Sequence, residues 1–224
     1  MHKIPDNLAH VLNSIASAAD NAGRNRSEIT LLAVSKTKPA DIIRVAYDAG
    51  QRHFGENYVQ EALTKMAQLQ DLDITWHFIG PIQSNKTQAI ASHFTWVHSV
   101  DREKIAQRLN DQRPAALPPL NVCLQINIDA ETSKSGIAPE NAEAVAMAVA
   151  CLPRLALRGL MAIPDPNRDS RAAFARLRTL ATAIESRINV KLDTLSMGMS
   201  SDLSEAIAEG ATMVRVGTAI FGGR

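Results

Sequence analysis

Lys36 stands at the end of the first strongly apolar run of the chain. The residues before it, Leu31 to Val34, are typical of a strand that is buried on both faces in a parallel sheet. Because side chains alternate between the two faces of a strand, Lys36 is predicted to share a face with Leu32 and Val34. Burial there lowers the pKa of an amine, which prepares it to attack a carbonyl group and form a Schiff base. A strand-end lysine that simply reaches into water is the alternative that this stretch leaves open.

Polar residues recur within later apolar runs or at their ends. The same alternation predicts inward-facing side chains for His53 and Asn57 in the second run, His77 in the third and Arg215 in the last. Asn57 could equally cap the helix that follows it. A histidine on an apolar strand, such as His77, is more often a hydrogen-bonded core residue than a catalytic group.

The carboxyl-terminal part of the chain contains two segments suited to an anion. Residues 197–202 lead into a helix, at which Asp202 and Glu205 fit a capping box. Gly217 and Thr218 then place a backbone without a side chain next to a hydroxyl group. Main-chain amides beside a glycine or at a helix amino terminus favour phosphate. Helix capping and a close-packed strand glycine are the structural alternatives, but together with a lysine these segments predict a phosphate site.

Composition excludes several other classes of protein. The chain has 24 Lys and Arg residues against 23 Asp and Glu residues, so its charge predicts no nucleic-acid surface. Its histidines and cysteines show no metal-ligand spacing, and its glycines no nucleotide-loop spacing. Cys123 and Cys151 lie in apolar runs and are predicted to be buried, reduced thiols. Residues 1–7 lack the apolar core of a signal peptide, and the apolar stretch 144–152 is too short to span a membrane, so we expect a cytoplasmic protein.

Helical and strand patterns alternate along the whole chain, after an amphipathic helix at the amino terminus. Strict alternation predicts a parallel sheet, and eight repeats in this length fit a single (β/α)8 barrel domain over residues 1–224 with an extra N-terminal helix. A doubly wound open sheet is the alternative. The predicted strands end at or near Lys36, Asn57, Gly80, Val100, Ile128, Ile163, Met199 and Phe221. In such barrels the active site lies at the carboxyl ends of the strands.

Five ordered motifs, at residues 33–39, 53–58, 76–80, 196–202 and 214–222, resemble the pyridoxal phosphate homeostasis protein family, and the resemblance covers essentially the whole chain. It implies a fold-type III barrel like the N-terminal domain of alanine racemase, with pyridoxal 5′-phosphate (PLP) held as an internal aldimine on Lys36. It further implies that Ser200, Gly217 and Thr218 hold the phosphate, that Asn57 lines the pocket, and that Arg215 faces the pyridine nitrogen. The cofactor-binding set expected from the sequence is Lys36, Asn57, His77, Met199, Ser200, Arg215, Gly217 and Thr218.

We expect a non-catalytic PLP carrier that buffers the cofactor and passes it to PLP-dependent client enzymes. The alternatives are an amino-acid racemase and a class I aldolase whose lysine reacts with a sugar phosphate. A racemase like alanine racemase needs a second domain that supplies a tyrosine, and here only Tyr47 and Tyr58 are available. It also needs an acid and a base on opposite sides of the substrate carbon, and Lys36 is the one convincing base. Arg215 at the ring nitrogen would keep that nitrogen unprotonated. We expect a monomer without metal. Lys134 is predicted to be a solvated loop residue, and contact with a ligand over the barrel mouth is the alternative.

Overall fold

The computed structural model describes residues 3–131 and 135–223. Within them, parallel strands form a closed barrel in which each strand pairs with the next and β8 pairs with β1. The eight-stranded barrel predicted from the sequence is confirmed, and the open-sheet alternative is wrong. The strands are β1 (Thr30–Val34), β2 (His53–Glu56), β3 (Thr75–Phe78), β4 (Trp96–Val100), β5 (Leu120–Gln125), β6 (Leu155–Met161), β7 (Thr194–Ser196) and β8 (Met213–Val216).

Helices pack around the outside of the barrel, and all but the first and the last connect consecutive strands. They are α1 (Lys3–Asn21), α2 (Ala40–Asp48), α3 (Val59–Gln68), α4 (Thr87–His93), α5 (Glu103–Gln112), α6 (Ala142–Ala150), α7 (Ser170–Ile188), α8 (Leu203–Ala208) and α9 (Thr218–Phe221). Helix α1 is the extra N-terminal helix. It buries an apolar stripe that includes Leu8, Val11 and Ile15, and it packs against α8 and α9. The Asn7 amide nitrogen donates to the Ile220 carbonyl at 2.9 Å, which joins the two ends of the described chain.

The main apolar core lies between the sheet and the surrounding helices, whereas the interior of the barrel is markedly polar. Outward-facing strand residues such as Ala33, Phe54 and Val97 belong to that continuous apolar cluster. The barrel interior instead buries polar side chains, among them His77, His98, Ser196 and Arg215. A buried polar group is costly unless it is hydrogen-bonded, so this interior requires a connected network.

Several boundaries differ from the sequence-based predictions. β7 ends at Ser196 and β8 at Val216, so the Met199, Gly217 and Thr218 positions lie beyond the strands; Thr218 begins the helical turn α9. Cys123 is buried as predicted, but Cys151 is exposed at the end of α6. Lys134 lies outside the described residues. No helix in the described part of the chain has the length and apolarity needed to cross a membrane.

Candidate functional site

A cavity of about 400 Å³ opens at the carboxyl ends of the strands. Seven of the eight predicted site residues belong to its lining, and His77 does not. The lining residues are Val34, Lys36, Asn57, Ile79, Met161, Ile163, Met199, Ser200, Ser201, Arg215, Gly217 and Thr218. A larger cavity of about 500 Å³ lies outside the barrel between α2 and α3, but it contains neither Lys36 nor Arg215. The chemistry predicted from the sequence therefore converges in the barrel mouth.

Lys36 lies in a tight turn just beyond β1 rather than in the strand itself. The turn is closed by a hydrogen bond from the Lys38 amide to the Ser35 carbonyl at 3.0 Å, and Thr37 has a left-handed backbone with φ 64°. Lys36 is half-buried, so the full burial expected from the strand pattern is wrong. Its Nζ has no hydrogen-bond or ion-pair partner among residues 3–131 and 135–223, which leaves the amine available to a ligand in the cavity.

A buried ion-pair cluster holds this turn from outside the barrel. Lys65 of α3 is 4% exposed, and its Nζ donates to Glu56 Oε1 and to the Ser35 carbonyl at 2.7 and 2.8 Å. Ser35 Oγ donates to the same carboxylate oxygen, and the Thr37 amide donates to Glu61, the other partner of Lys65. Burial raises the pKa of Glu56, whereas Lys65 acts to lower it. The residues on both sides of Lys36 are thus fixed by charged groups.

Arg215 forms part of the cavity floor. Its Nη1 donates to the Ser196 carbonyl and hydroxyl at 2.6 and 2.9 Å, and its Nη2 donates to the Ala162 carbonyl at 3.0 Å. Burial lowers the pKa of the guanidinium to about 10, so it stays charged at neutral pH. A planar cation held by three hydrogen bonds presents fixed donors rather than a proton acceptor.

A second turn shapes the end of the cavity predicted to hold phosphate. Gly198 has φ +90°, and its carbonyl accepts a hydrogen bond from the Arg215 amide at 3.0 Å. Asp202 accepts a hydrogen bond from the Met199 amide at 2.6 Å and makes no cap to α8, so the predicted capping box is wrong. Asp202 instead fixes the loop that carries Ser200 into the cavity. Across the mouth, Gly217 packs closely against Val34, where a side chain would crowd β1.

Asn57 presents an unsatisfied polar atom at the mouth. Its Oδ1 is buried and has no hydrogen-bond partner among the described residues, and Tyr58, not Asn57, is the N-cap residue of α3. The helix-capping alternative is therefore wrong. The Asn57 backbone lies so close to Gly80 that a β-carbon at position 80 would overlap the Asn57 carbonyl group. An unpaired buried carbonyl that lines a cavity indicates a ligand group able to donate a hydrogen bond.

His77 is corrected from cofactor pocket to barrel interior. It is fully buried between His53, at 3.0 Å, and His98, at 2.9 Å, and its ring stacks on Trp96. Alternation correctly predicted that it faces inward, but its position near the middle of β3 places it below the cavity. The structure therefore supports the interpretation of His77 as a hydrogen-bonded core histidine.

Sequence reasoning missed the groups that support the site. Ser196 contacts Arg215 directly, and His98 contacts it through Ser196. Glu56 and Lys65 hold the Lys36 turn. Ser196 and His98 were detectable, because each is a polar residue at an inward position of a predicted strand. Glu56 and Lys65 were not, since nothing in the sequence shows that α3 folds back over the turn after β1. No cluster of His, Cys, Asp or Glu suited to a metal occurs among the described residues.

Comparison with known proteins decides the family. Residues 6–224 match the family model described as alanine racemase, N-terminal domain. The chain is 62% identical to the pyridoxal phosphate homeostasis protein of Pseudomonas aeruginosa, covering 100% of this chain and 97% of that protein. This chain belongs to the alanine racemase N-terminal domain family and, within it, to the pyridoxal phosphate homeostasis proteins. The corresponding Escherichia coli K12 protein is 57% identical over 100% of this chain and 98% of its own length.

Solved structures of relatives place the fold in the same family. PipY of Synechococcus elongatus PCC7942, in a structure with PLP bound, superposes with a TM-score of 0.83 at 42% identity, covering 93% of this chain and all of that one. Alanine racemase from Corynebacterium glutamicum gives a TM-score of 0.69 at 20% identity, over 98% of this chain and 61% of that one. The latter likeness concerns the fold alone.

Proposed function

We propose that this protein binds PLP covalently through Lys36 and buffers the cofactor within the cell for PLP-dependent enzymes. The observation that carries the proposal is the meeting of a free lysine amine, a fixed guanidinium and a glycine–hydroxyl loop around one cavity of about 400 Å³. Its volume lies in the range of small-molecule pockets. PLP-homeostasis relatives at 57–62% identity, and a relative seen with PLP bound, support the same assignment.

The residues present fit the proposed group. PLP supplies an aldehyde, a phosphate and an aromatic nitrogen, and its ring acts as an electron sink when that nitrogen is protonated. Lys36 offers an unpaired amine to the aldehyde. Ser200, Gly217 and Thr218 offer hydroxyls and main-chain amides to the phosphate. The buried Asn57 Oδ1 has an unused acceptor lone pair for a donor on the ligand, and Met199 covers one side of the cavity.

Arg215 favours a carrier over an enzyme. As a permanent donor it binds an unprotonated ring nitrogen and cannot stabilise a protonated one, which weakens the electron sink. Among the described lining residues, Lys36 is the one side chain that carries an amine. Tyr58 is half-exposed outside the lining, and the Tyr47 ring lies against Arg52. A racemase-like enzyme remains the alternative, and it needs a second acid or base that these residues do not supply.

We infer further that the protein acts as one cofactor-binding domain in the cytoplasm, where the buried Cys123 thiol stays reduced. Its partners are then PLP itself and the client enzymes that receive it. Each proposed ligand to PLP comes from this one chain, so no second copy is needed to complete the site.

Borohydride reduction of the PLP-loaded protein tests the covalent assignment. We expect the cofactor to be fixed on Lys36, detected by the added mass of the peptide that contains it. Lys36→Ala should abolish the visible absorption of bound PLP. Lys38→Ala is the matched control, because Lys38 lies beside Lys36 in a small adjoining cavity but its amine donates to the Gly223 carbonyl. This variant should leave the absorption of bound PLP intact. Label found mainly on Lys38 would overturn the assignment.

The same preparation separates carrier from enzyme. With alanine in deuterated water, the loaded wild-type protein should exchange the α-proton at a rate close to that of free PLP and should not racemise over multiple turnovers. Sustained racemisation, lost in Lys36→Ala, would establish the enzyme alternative.

A further inference from the structure

A continuous chain of hydrogen bonds runs through the barrel from Arg215 to His53. The Arg215 Nη1 lies 2.9 Å from Ser196 Oγ, and that oxygen lies 2.7 Å from His98 Nδ1. His98 Nε2 lies 2.9 Å from His77 Nδ1, and His77 Nε2 lies 3.0 Å from His53 Nδ1. Each member comes from a different strand, in the order β8, β7, β4, β3 and β2. The hydrogen-bond chain begins at the cavity and ends at His53, the first residue of β2, which is separated from β8 by β1 alone.

The chemistry of Arg215 and Ser196 favours one direction for every bond. Arg215 can only donate, so Ser196 Oγ accepts from it. The Ser196 hydrogen then has an acceptor within the hydrogen-bond chain only if Oγ donates to His98 Nδ1, and we take this arrangement as the resting one. Because His98 Nδ1 then accepts, the proton of a neutral His98 must be on Nε2, which donates to His77 Nδ1. The same reasoning places the His77 proton on Nε2, which donates to His53 Nδ1. We therefore assign the Nε2–H tautomer to all three imidazoles.

Burial keeps the two inner imidazoles neutral. His77 and His98 are fully buried, and desolvation lowers the pKa of both, that of His98 to about 3. His53 is half-buried, and its pKa is lowered by burial alone. His53 is thus the member of the chain at which a proton from water can be accommodated.

The charges that face the chain come from several elements. Arg215 lies at the cavity end, where Asp202 and Cys123 act on its guanidinium, and it opposes protonation of His98. The Arg158 guanidinium lies 5.2 Å from the centre of the Trp96 ring that stacks on His77, and it is paired with Asp193. No carboxylate among residues 3–131 and 135–223 forms an ion pair with His53, His77 or His98.

We propose that Ser196, His98, His77 and His53 form an oriented relay that positions the Arg215 guanidinium at the cofactor site and reverses as a unit when His53 takes up a proton. In the reversed state His53 carries protons on both nitrogens, so its Nδ1–H donates to His77 Nε2. The His77 proton must then lie on Nδ1 and donate to His98 Nε2, and the His98 proton on Nδ1 donates to Ser196. The relay holds one more proton, taken from water, and both inner imidazoles stay neutral.

Reversal changes the hydrogen bonding of Ser196, the residue that supports Arg215. Ser196 Oγ then accepts from both Arg215 and His98, and its own hydrogen no longer has an acceptor in the relay. The positioning of Arg215 thereby becomes coupled to the protonation of His53. The consequence for a bound cofactor rests on the proposed PLP function, whereas the relay itself does not.

Side-chain ¹⁵N NMR of the histidine-labelled full-length protein tests the relay without PLP. At about pH 8 we expect His53, His77 and His98 all to be neutral, with the proton on Nε2. As His53 titrates, His77 and His98 should move their proton to Nδ1 without becoming charged. A proton on Nδ1 of any of the three at the higher pH, or a His53 titration with no tautomer change in its neighbours, would overturn the proposal.

Loaded protein tests the coupling to the cofactor. The visible band of bound PLP should shift with a midpoint equal to that of His53, and Ser196→Ala should remove the shift and raise the PLP dissociation constant about fivefold. Thr194→Val on the same strand is the matched control, since Thr194 bonds to Asp193 outside the relay and should change neither property. If Ser196→Ala fails to fold, His53→Gln in the same assay should remove the pH dependence; a shift that persists in it would contradict the coupling. Absence of PLP binding in wild type would instead refute the cofactor assignment and leave the NMR result standing.

Discussion

A substitution of Asn57 distinguishes a ligand-binding role of this residue from a structural one. Its buried Oδ1 lacks a partner, and an unsatisfied buried polar atom costs about 1–3 kcal/mol of stability. We therefore expect Asn57→Ala to leave the free energy of unfolding of the PLP-free protein unchanged or raised by about 1 kcal/mol. The PLP dissociation constant should increase about tenfold. Urea denaturation and equilibrium titration measure the two quantities, and a clear loss of stability without loss of affinity would assign Asn57 to the fold.

Single-residue chemistry was predictable where strand alternation and chain order were sufficient. Lys36 was expected at the carboxyl end of the first strand and Arg215 at an inward position of the last strand, and both line the cavity. His77 was misplaced because alternation gives the face of a strand but not the depth of a residue along the barrel. The support of the Lys36 turn by Lys65 was not predictable, since it depends on the packing of α3 against the end of β1.

At the scale of elements, the loop between β7 and α8 depends on Gly198. The residue has φ +90°, and a β-carbon there would overlap the Ala206 side chain of α8. Gly198→Ala should therefore cost about 2–3 kcal/mol of stability and displace the loop that carries Ser200, with a large loss of PLP affinity. Gly23→Ala is the matched control. It has φ +65° and no atom near its missing β-carbon, so it should cost about 1 kcal/mol and leave PLP binding unchanged. Equal effects in the two variants would show that backbone strain alone matters.

The order of the elements could be predicted from the sequence, but the ends of the last strands could not. Met197 and Met199 follow β7, and residues 219–221 after β8 are apolar, so hydrophobicity alone did not mark the end of either strand. In the structure the first segment forms a turn around Gly198, and the second forms α9, which packs against α1. The contact with α1 joins residues at opposite ends of the chain, and no local pattern contains that information.

At the scale of the whole molecule, the site is assembled within one barrel. The cavity lining comes from β1, β6 and β8 and from the loops after β1, β2, β3, β6, β7 and β8, so a second copy is not needed to complete it. We expect light scattering to report a monomer across a concentration series, with and without PLP. A tight dimer that places a partner side chain over Lys36 would contradict this expectation and would reopen the racemase alternative.

The polar interior of the barrel also makes the stability of the whole fold sensitive to acid. Burial lowers the pKa of His53, His77 and His98, while in the unfolded chain each imidazole returns to about 6.5. The unfolded state therefore binds more protons, so stability is fully present above about pH 6.5 and is lost as the pH falls. With His77 and His98 unprotonated in the fold, the loss should approach about 2.7 kcal/mol per pH unit below about pH 6. The raised pKa of the buried Glu56 has the opposite effect on stability, and it acts between the ordinary pKa of a glutamate and the raised pKa in the fold.

Urea denaturation between about pH 8 and pH 5 measures this slope. His77→Gln offers one amide that can accept from His98 and donate to His53 but cannot titrate. We expect it to reduce the slope by about 1.4 kcal/mol per pH unit, the contribution of one proton, because an imidazole is removed from the unfolded state. His10 is exposed on α1, so His10→Gln should leave the slope unchanged. The same slope in wild type and His77→Gln would mean that His77 is already protonated in the native barrel, which its two imidazole neighbours and complete burial oppose.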